Sequence, residues 1–187
     1  MMASLLAVRP RVAAWDRETV ATFDLGCEDI LIVDRRPVPG IAGAIESARV
    51  HDFRSIVTSA NAHALATESL TALNIDCPPL AKDIADLARC FLTQFDTSEG
   101  SLRVEVVDKT TCPKFHCDNV RTRLVTTYHG PATEYVRSDA PEEVRAAAVF
   151  ALVFLKGHKH PNHADSVHHR SPSVPPGTKR LCVILDF

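Results

Sequence analysis

The sequence lacks an excess of charge of either sign, and it lacks long apolar runs. Its 187 residues include 21 Lys and Arg against 23 Asp and Glu, for a formal net charge of −2. A protein that binds duplex nucleic acid needs a concentrated basic face, so we expect no nucleic-acid partner. No apolar run approaches the roughly 20 residues that cross a bilayer, so we expect no membrane partner. The hydrophobic share of 45% is that of an ordinary globular protein.

Several sequence signatures are also missing. The first nine residues lack the basic start and long apolar stretch of an export signal, which predicts a cytoplasmic protein. The six cysteines form no CxxC pair, so reduced thiols are expected rather than a disulfide framework. No Walker-type phosphate loop, GxGxxG motif or GxSxG elbow is present. Nucleotide binding and serine hydrolase chemistry therefore have no support.

Residues 1–100 are predicted to be mainly helical. Residues 55–73 are rich in Ala and Leu and contain no Gly or Pro. Between residues 80 and 95 apolar residues recur every three or four positions after Pro78 and Pro79, which is typical of one buried helix face. A short strand is expected at residues 30–33 and a third helix at residues 38–49.

Residues 101–187 are predicted to be β-rich. Alternating or β-branched runs predict strands over residues 102–107, 120–128, 133–136, 149–155 and 180–185. Residues 141–148 are expected to form a short helical turn. Many short strands with Gly and Pro turns favour a small barrel or jelly roll. The predicted fold is α+β, with a helical N-terminal layer packed on this core, most simply as one compact unit.

Seven of the nine histidines lie in the last 72 residues, and three residues there form a candidate metal site. On an extended segment His116 and Asp118 point the same way, because residues i and i+2 share a face. His169 would complete a face of two imidazoles and one carboxylate, which leaves sites open on an octahedral Fe(II). Arg180, at the start of the last strand, is placed to bind a carboxylate.

The sequence contains an HxD motif, a histidine about fifty residues later and an arginine about ten residues after that. This order resembles the one in Fe(II)/2-oxoglutarate-dependent oxygenases of the double-stranded β-helix (cupin-like) fold. This resemblance covers residues 102–187. It implies that His116, Asp118 and His169 bind iron and that Arg180 holds the distal carboxylate of 2-oxoglutarate. Tyr128 or Thr126 would line the same pocket. The implied activity is hydroxylation of an unknown small-molecule or protein substrate.

A second resemblance extends over most of the chain. The blocks CPKFHCD (residues 112–118), TYHGPATE (127–134), LKG (155–157) and HRSP (169–172) resemble those of an uncharacterised bacterial family. Its members are often encoded near zinc-responsive genes and zinc-metallochaperone GTPases, which implies a metal-linked role and a link to such a GTPase. Ala132 departs from the pattern, which has glycine at that position.

Several alternatives stay open. The same three ligands would also suit Zn(II), in a carrier or a hydrolytic centre linked to zinc homeostasis. The chain could instead be a metal-free interaction module. Apart from His116, Asp118 and His169, residues 158–163 are interpreted either as an auxiliary metal-binding loop or as a flexible surface loop with incidental histidines. Arg121 and Arg123 are interpreted as a barrel-lining anion site or as solvated strand arginines, and Arg170 is expected to point away from the metal.

Overall fold

The computed structural model describes residues 14–187 of the chain. The start of the sequence, on which the expectation of no export signal depends, lies outside the described residues. The helices are α1 (Arg17–Leu25), α2 (Ile41–Glu46), α3 (Ala62–Ala72) and α4 (Pro78–Gln94). The strands are β1 (Ile30–Val33), β2 (His51–Thr58), β3 (Glu99–Val107), β4 (Thr122–His129), β5 (Glu134–Arg137), β6 (Ala140–Ala146), β7 (Leu152–Lys156), β8 (Val167–Arg170) and β9 (Arg180–Asp186).

The strands form two antiparallel sheets. The larger has the order β1-β7-β4-β9-β3-β2 and the smaller the order β6-β5-β8. One face of the larger sheet packs on the helices, and its buried side chains include Leu124, Tyr128 and Phe154. The other face turns Val125 and Ile184 toward the smaller sheet, where Val167 of β8 joins the same apolar cluster. The predicted α+β fold, with a helical layer on a jelly-roll core, is confirmed.

Helix α4 anchors the helical layer. Prolines occupy its first turn, where the missing N–H groups would have no helical partner. Eight of its side chains are buried on one face, including Leu80, Ile84 and Phe91. A fully buried Leu or Phe side chain contributes roughly 1.5–3 kcal/mol, so this face accounts for much of the packing between the helices and the sheet.

Two elements differ from the sequence-based expectation. The helix expected over residues 55–73 begins only at Ala62, because residues up to Thr58 belong to β2, the edge strand that pairs with β3. Residues 141–148 were expected to form a helical turn, but β6 occupies Ala140–Ala146 and pairs with β5. The sheet partner outweighs the helical propensity of this Glu- and Ala-containing segment, whose proline is tolerated on an edge strand.

The expected short strand at residues 30–33 is confirmed as β1, which pairs with β7 at one edge of the larger sheet. The first hundred residues therefore supply both edge strands of that sheet as well as the helices. Within the described part of the chain, none of the helices has the length and apolar character needed to span a bilayer.

Candidate metal centre

A short stretch of antiparallel pairing brings His116 and His169 together. The amide of each residue donates to the carbonyl oxygen of the other, with both N···O distances at 3.0 Å. His169 lies on β8, which pairs in turn with β5 through Tyr135. The segment around His116 therefore extends the smaller sheet, and the two imidazole rings lie 4.6 Å apart between centroids.

Asp118 completes the group from the same side of the segment as His116. Its Oδ2 lies 2.9 Å from Nε2 of His169, and its Oδ1 lies 3.5 Å from Nε2 of His116. One ligand atom from each of the three residues lies within 4.8 Å of the others. The three side chains that the sequence singles out therefore converge.

The hydrogen bonds of His116 leave the correct nitrogen available for a metal. Its Nδ1 lies 2.9 Å from the carbonyl oxygen of Lys114. Because a carbonyl only accepts, Nδ1 carries the proton and Nε2, which faces Asp118, keeps its lone pair. A second partner that fixes the tautomer in this way is typical of metal-binding histidines.

The charges around Asp118 keep it ionised. Burial opposes ionisation, but His169 and Arg123 outweigh it and hold the pKa of Asp118 below its usual value. Nη1 of Arg123 lies 2.6 Å from the buried Oδ2 of Asp118. Nε2 of His169 approaches the same oxygen, so Arg123 and His169 both contact Oδ2. Burial lowers the pKa of His169, which favours the neutral imidazole that a metal requires.

The three side chains lie on the wall of a cavity of about 310 Å³ between the two sheets. The predicted carboxylate binder, Arg180, lines the same cavity and is 2% exposed. Its Nε donates to the carbonyl oxygen of Pro131 at 2.9 Å. Its two Nη atoms make longer contacts, with Thr127, Thr133, Cys182 and Glu105 at 3.3–3.4 Å. The guanidinium is therefore fixed at Nε and more loosely held at the end that a ligand would meet.

Thr126 and Tyr128 do not line this cavity, and the expectation that they would is wrong. Alternation along β4 turns Arg123 and Val125 toward the cavity and Tyr128 toward the helical layer. The Tyr128 hydroxyl donates to Oδ2 of Asp83 on α4 at 2.5 Å. The Thr126 hydroxyl accepts from Nη2 of Arg35 at 3.3 Å. Tyr128 ties the sheet directly to α4, and Thr126 does so through Arg35, which pairs with Asp83 of α4.

Two charged residues in the cavity were missed or left undecided by sequence reasoning. Arg123 is not a solvated strand arginine, since it contacts Asp118 and, through Nε, Asp186 at 2.6 Å. Glu105 is almost fully buried, with Oε1 at 3.4 Å from Nη1 of Arg180 and Oε2 at 2.5 Å from Nη2 of Arg103. The alternating pattern of β3 identifies a strand, but its charged positions gave no sign of facing a cavity.

Arg170 and Cys112 also lie close to the centre. Nε of Arg170 is 2.7 Å from Oε2 of Glu134, and its guanidinium lies over the ring of Phe115, although its side chain also lines the cavity. Sγ of Cys112 lies 3.6 Å from Nδ1 of His116. Because that nitrogen donates its proton to the carbonyl oxygen of Lys114, the thiol lies next to the three candidate ligands but is not one of them.

Comparison with solved structures finds several oxygenases at low identity. A dioxygenase for auxin oxidation from Arabidopsis thaliana, in a complex with 2-oxoglutarate, is 12% identical over 72% of this chain and 62% of its own, with a TM-score of 0.44. A prolyl-4-hydroxylase from Pseudomonas putida is 14% identical over 80% of this chain and 94% of its own, with a TM-score of 0.43. A putative oxygenase from Shewanella oneidensis is 14% identical over 93% and 87%, with a TM-score of 0.45.

The chain spans less than two thirds of the length of the Arabidopsis protein. No curated protein matches the chain in sequence. A family model does match, over residues 3–186. The chain therefore belongs to the DUF1826 family, which is described as a protein family of unknown function.

Proposed function

We propose that this protein is an Fe(II)- and 2-oxoglutarate-dependent oxygenase that acts on a small-molecule or protein substrate. One observation carries the proposal. His116, Asp118 and His169 converge on the wall of a cavity that also contains the buried guanidinium of Arg180. A metal face and a carboxylate-binding group in one cavity are what the binding of a chelating dicarboxylate requires.

The three ligands fit iron by chemistry and by placement. Two neutral imidazoles and one ionised carboxylate match the donor set of non-haem Fe(II) oxygenases. One ligand atom from each of the three residues lies within 4.8 Å of the others, close enough for the three to share one ion. When bound, iron and 2-oxoglutarate would supply the oxidation, in which O₂ is consumed, 2-oxoglutarate yields succinate and CO₂, and one oxygen atom enters the substrate.

Arg180 would bind the distal carboxylate of 2-oxoglutarate. Its Nε is held by Pro131, while its Nη atoms make only long contacts and could exchange them for a carboxylate. Two charge-assisted hydrogen bonds together contribute about 3 kcal/mol or more, which corresponds to at least about a hundredfold in affinity. The cavity volume lies at the small end of the usual range of ligand sites, roughly 300–1,000 Å³, which suits a short dicarboxylate.

The rest of the cavity provides orientation and partial exclusion of water. Val125 and Ile184 give it an apolar wall between the charged groups. Arg123 lies beside Asp118 and orients the carboxylate that would hold the metal. The protein thus supplies fixed ligands, a fixed cation and a confined space, whereas the cofactors would supply the reactivity.

Anaerobic titration with Fe(II) and 2-oxoglutarate tests the proposal. We expect a weak visible charge-transfer band from the chelated oxoacid and, after admission of air, release of succinate. His169→Ala should abolish the band, and Arg180→Met should weaken 2-oxoglutarate binding about a hundredfold. His168→Ala is the matched control, because His168 is the next residue on β8 and lies near Asp165. It should retain the band.

Zinc at the same three side chains is the competing expectation, and the titration separates the two. Tight Zn(II) binding, combined with no effect of 2-oxoglutarate on the Fe(II) protein, would favour a zinc carrier or a hydrolytic centre and contradict the oxygenase. The link to a zinc-metallochaperone GTPase belongs to that alternative. The shared cavity of Arg180 and the three ligands is the observation that favours iron.

A further inference from the structure

A second group of side chains of the types that bind metals lies close to His116, Asp118 and His169. Cys117 is between His116 and Asp118 in the chain, so its side chain leaves the segment on the opposite side. There it meets the loop of residues 158–163. One ligand atom from each of Cys117, His158 and His163 lies within 4.8 Å of the others. We infer that these three residues form a zinc-binding site separate from the cavity.

The geometry of the two histidines suits a shared ion. Nε2 of His163 lies 3.9 Å from Sγ of Cys117. The rings of His158 and His163 are nearly perpendicular, at 83°, with centroids 5.0 Å apart. Neither ring stacks flat on the other, so both can direct a nitrogen toward the point that the thiol faces.

The loop that carries the histidines lies at the surface but is held in place. The side chain of His160 is fully buried and contacts Oδ1 of Asp24 at 2.8 Å. The amide of Asn162 donates to its other ring nitrogen at 3.0 Å. The amide of His158 donates to the carbonyl oxygen of Asp118 at 2.8 Å. A fixed backbone presents the ligands, which reduces the entropy that metal binding must overcome.

A buried carboxylate lies on the Nδ1 side of the His163 ring. Oδ1 of Asp29 lies 3.5 Å from Nδ1 of His163, and Asp29 is 1% exposed. The amides of Ala164 and Ser166 donate to this carboxylate and fix its position. Nδ1 of His163 is itself buried and has no hydrogen-bond partner among the described residues. A carboxylate behind a histidine is the usual arrangement that orients a zinc ligand, and metal binding at Nε2 would give the Nδ1 proton this partner.

The donor set selects the metal. One thiolate and two imidazoles favour zinc over magnesium or calcium, which prefer oxygen. The exposed position of His158 leaves room for water as the fourth tetrahedral ligand. A metal there would join residues 158–163 to Cys117 and thereby restrain the segment that carries His116 and Asp118.

Cobalt(II), added anaerobically to the whole chain of 187 residues, provides a spectroscopic test. Cobalt bound by a thiolate gives a near-ultraviolet charge-transfer band that imidazole and carboxylate ligands do not give. We expect this band in the wild type, its loss in Cys117→Ser, and its displacement by Zn(II). His158→Ala changes an exposed side chain and should keep the fold while weakening cobalt binding at least about tenfold. This variant keeps the test valid if Cys117→Ser unfolds.

Two further variants separate this site from the cavity. Cys112→Ser removes the thiol next to His116 and should keep the band. His169→Ala damages the proposed iron site and should also keep it, so failure of the oxygenase proposal would be distinguishable from failure of this one. A wild-type protein without the band at saturating cobalt would overturn the inference. So would loss of the band in Cys112→Ser with its retention in Cys117→Ser.

Discussion

Replacement of Glu105 by glutamine tests how the cavity holds Arg180. The two side chains are almost fully buried and their charged groups lie 3.4 Å apart. Removal of one partner from a buried ion pair costs about 3–5 kcal/mol, because the other charge stays buried without compensation. Glu105 also pairs with Arg103. Because Arg180 keeps its hydrogen bond to Pro131 and Arg103 keeps its ion pair with Asp52, we expect the lower end, about 3 kcal/mol. For a chain of this length that corresponds to a fall in Tm of roughly 6–12 °C.

The same variant should respond more strongly to 2-oxoglutarate. In the proposed complex Glu105 would compete with the carboxylate of 2-oxoglutarate for Nη1 of Arg180. A tenfold gain in affinity after its neutralisation would equal about 1.4 kcal/mol. Since a ligand stabilises the folded state according to its affinity, the ligand-induced rise in Tm should increase by roughly 3–6 °C.

Thermal unfolding with and without saturating 2-oxoglutarate, followed by circular dichroism, measures both effects. Glu143→Gln is the matched control, because Glu143 pairs with Arg145 on an exposed edge strand. An exposed pair contributes at most about 1 kcal/mol, so this control should change little. A ligand-induced rise in Tm that is equal or smaller in Glu105→Gln than in the wild type would refute the reasoning.

Three other substitutions have defined outcomes. Tyr128→Phe loses the hydrogen bond to α4 and should cost about 1–2 kcal/mol of unfolding free energy, measured in urea, with an unchanged Kd for 2-oxoglutarate. Gly130→Ala places a Cβ 2.6 Å from a main-chain oxygen at a φ of 79°, so a loss of at least about 1–2 kcal/mol is expected in the same assay. Burial opposes ionisation of Asp52, but Arg54 and Arg103 outweigh it and lower its pKa. The stability that its carboxylate provides is present at neutral pH and is lost as pH falls below the usual value of about 4, so Asp52→Asn should flatten acid unfolding between about pH 5 and pH 2. An equally steep acid transition in that variant would contradict the assignment.

The sequence predicted that His116, Asp118 and His169 lie together, because much of their placement depends on local rules. His116 and Asp118 share a side of one extended segment by alternation alone. The only non-local step was the pairing of that segment with β8, and the spacing to His169 and Arg180 was informative because it resembled a known order. The structure brings all four residues to one cavity.

The predictions from sequence were wrong or incomplete where the structure of a segment depends on the element that packs against it. The sequence of β6 favours a helix, and only its pairing with β5 makes it a strand. Tyr128 and Thr126 belong to a strand with two buried faces, and hydrophobicity does not tell which face meets the helices and which the cavity. Glu105 lies in an ordinary alternating strand, so its burial follows from Arg180 and Arg103 rather than from its neighbours in the chain.

The edge strands from the first hundred residues bear on how the protein can be shortened. A fragment that begins at residue 101 would lose β1 and β2, which cover the two ends of the larger sheet. It would also uncover the apolar face of that sheet and leave the Tyr128 hydroxyl without Asp83. Such a fragment would contain every proposed iron and 2-oxoglutarate ligand, yet its exposed backbone edges and apolar surface would favour aggregation. Assays of activity should therefore use the whole chain.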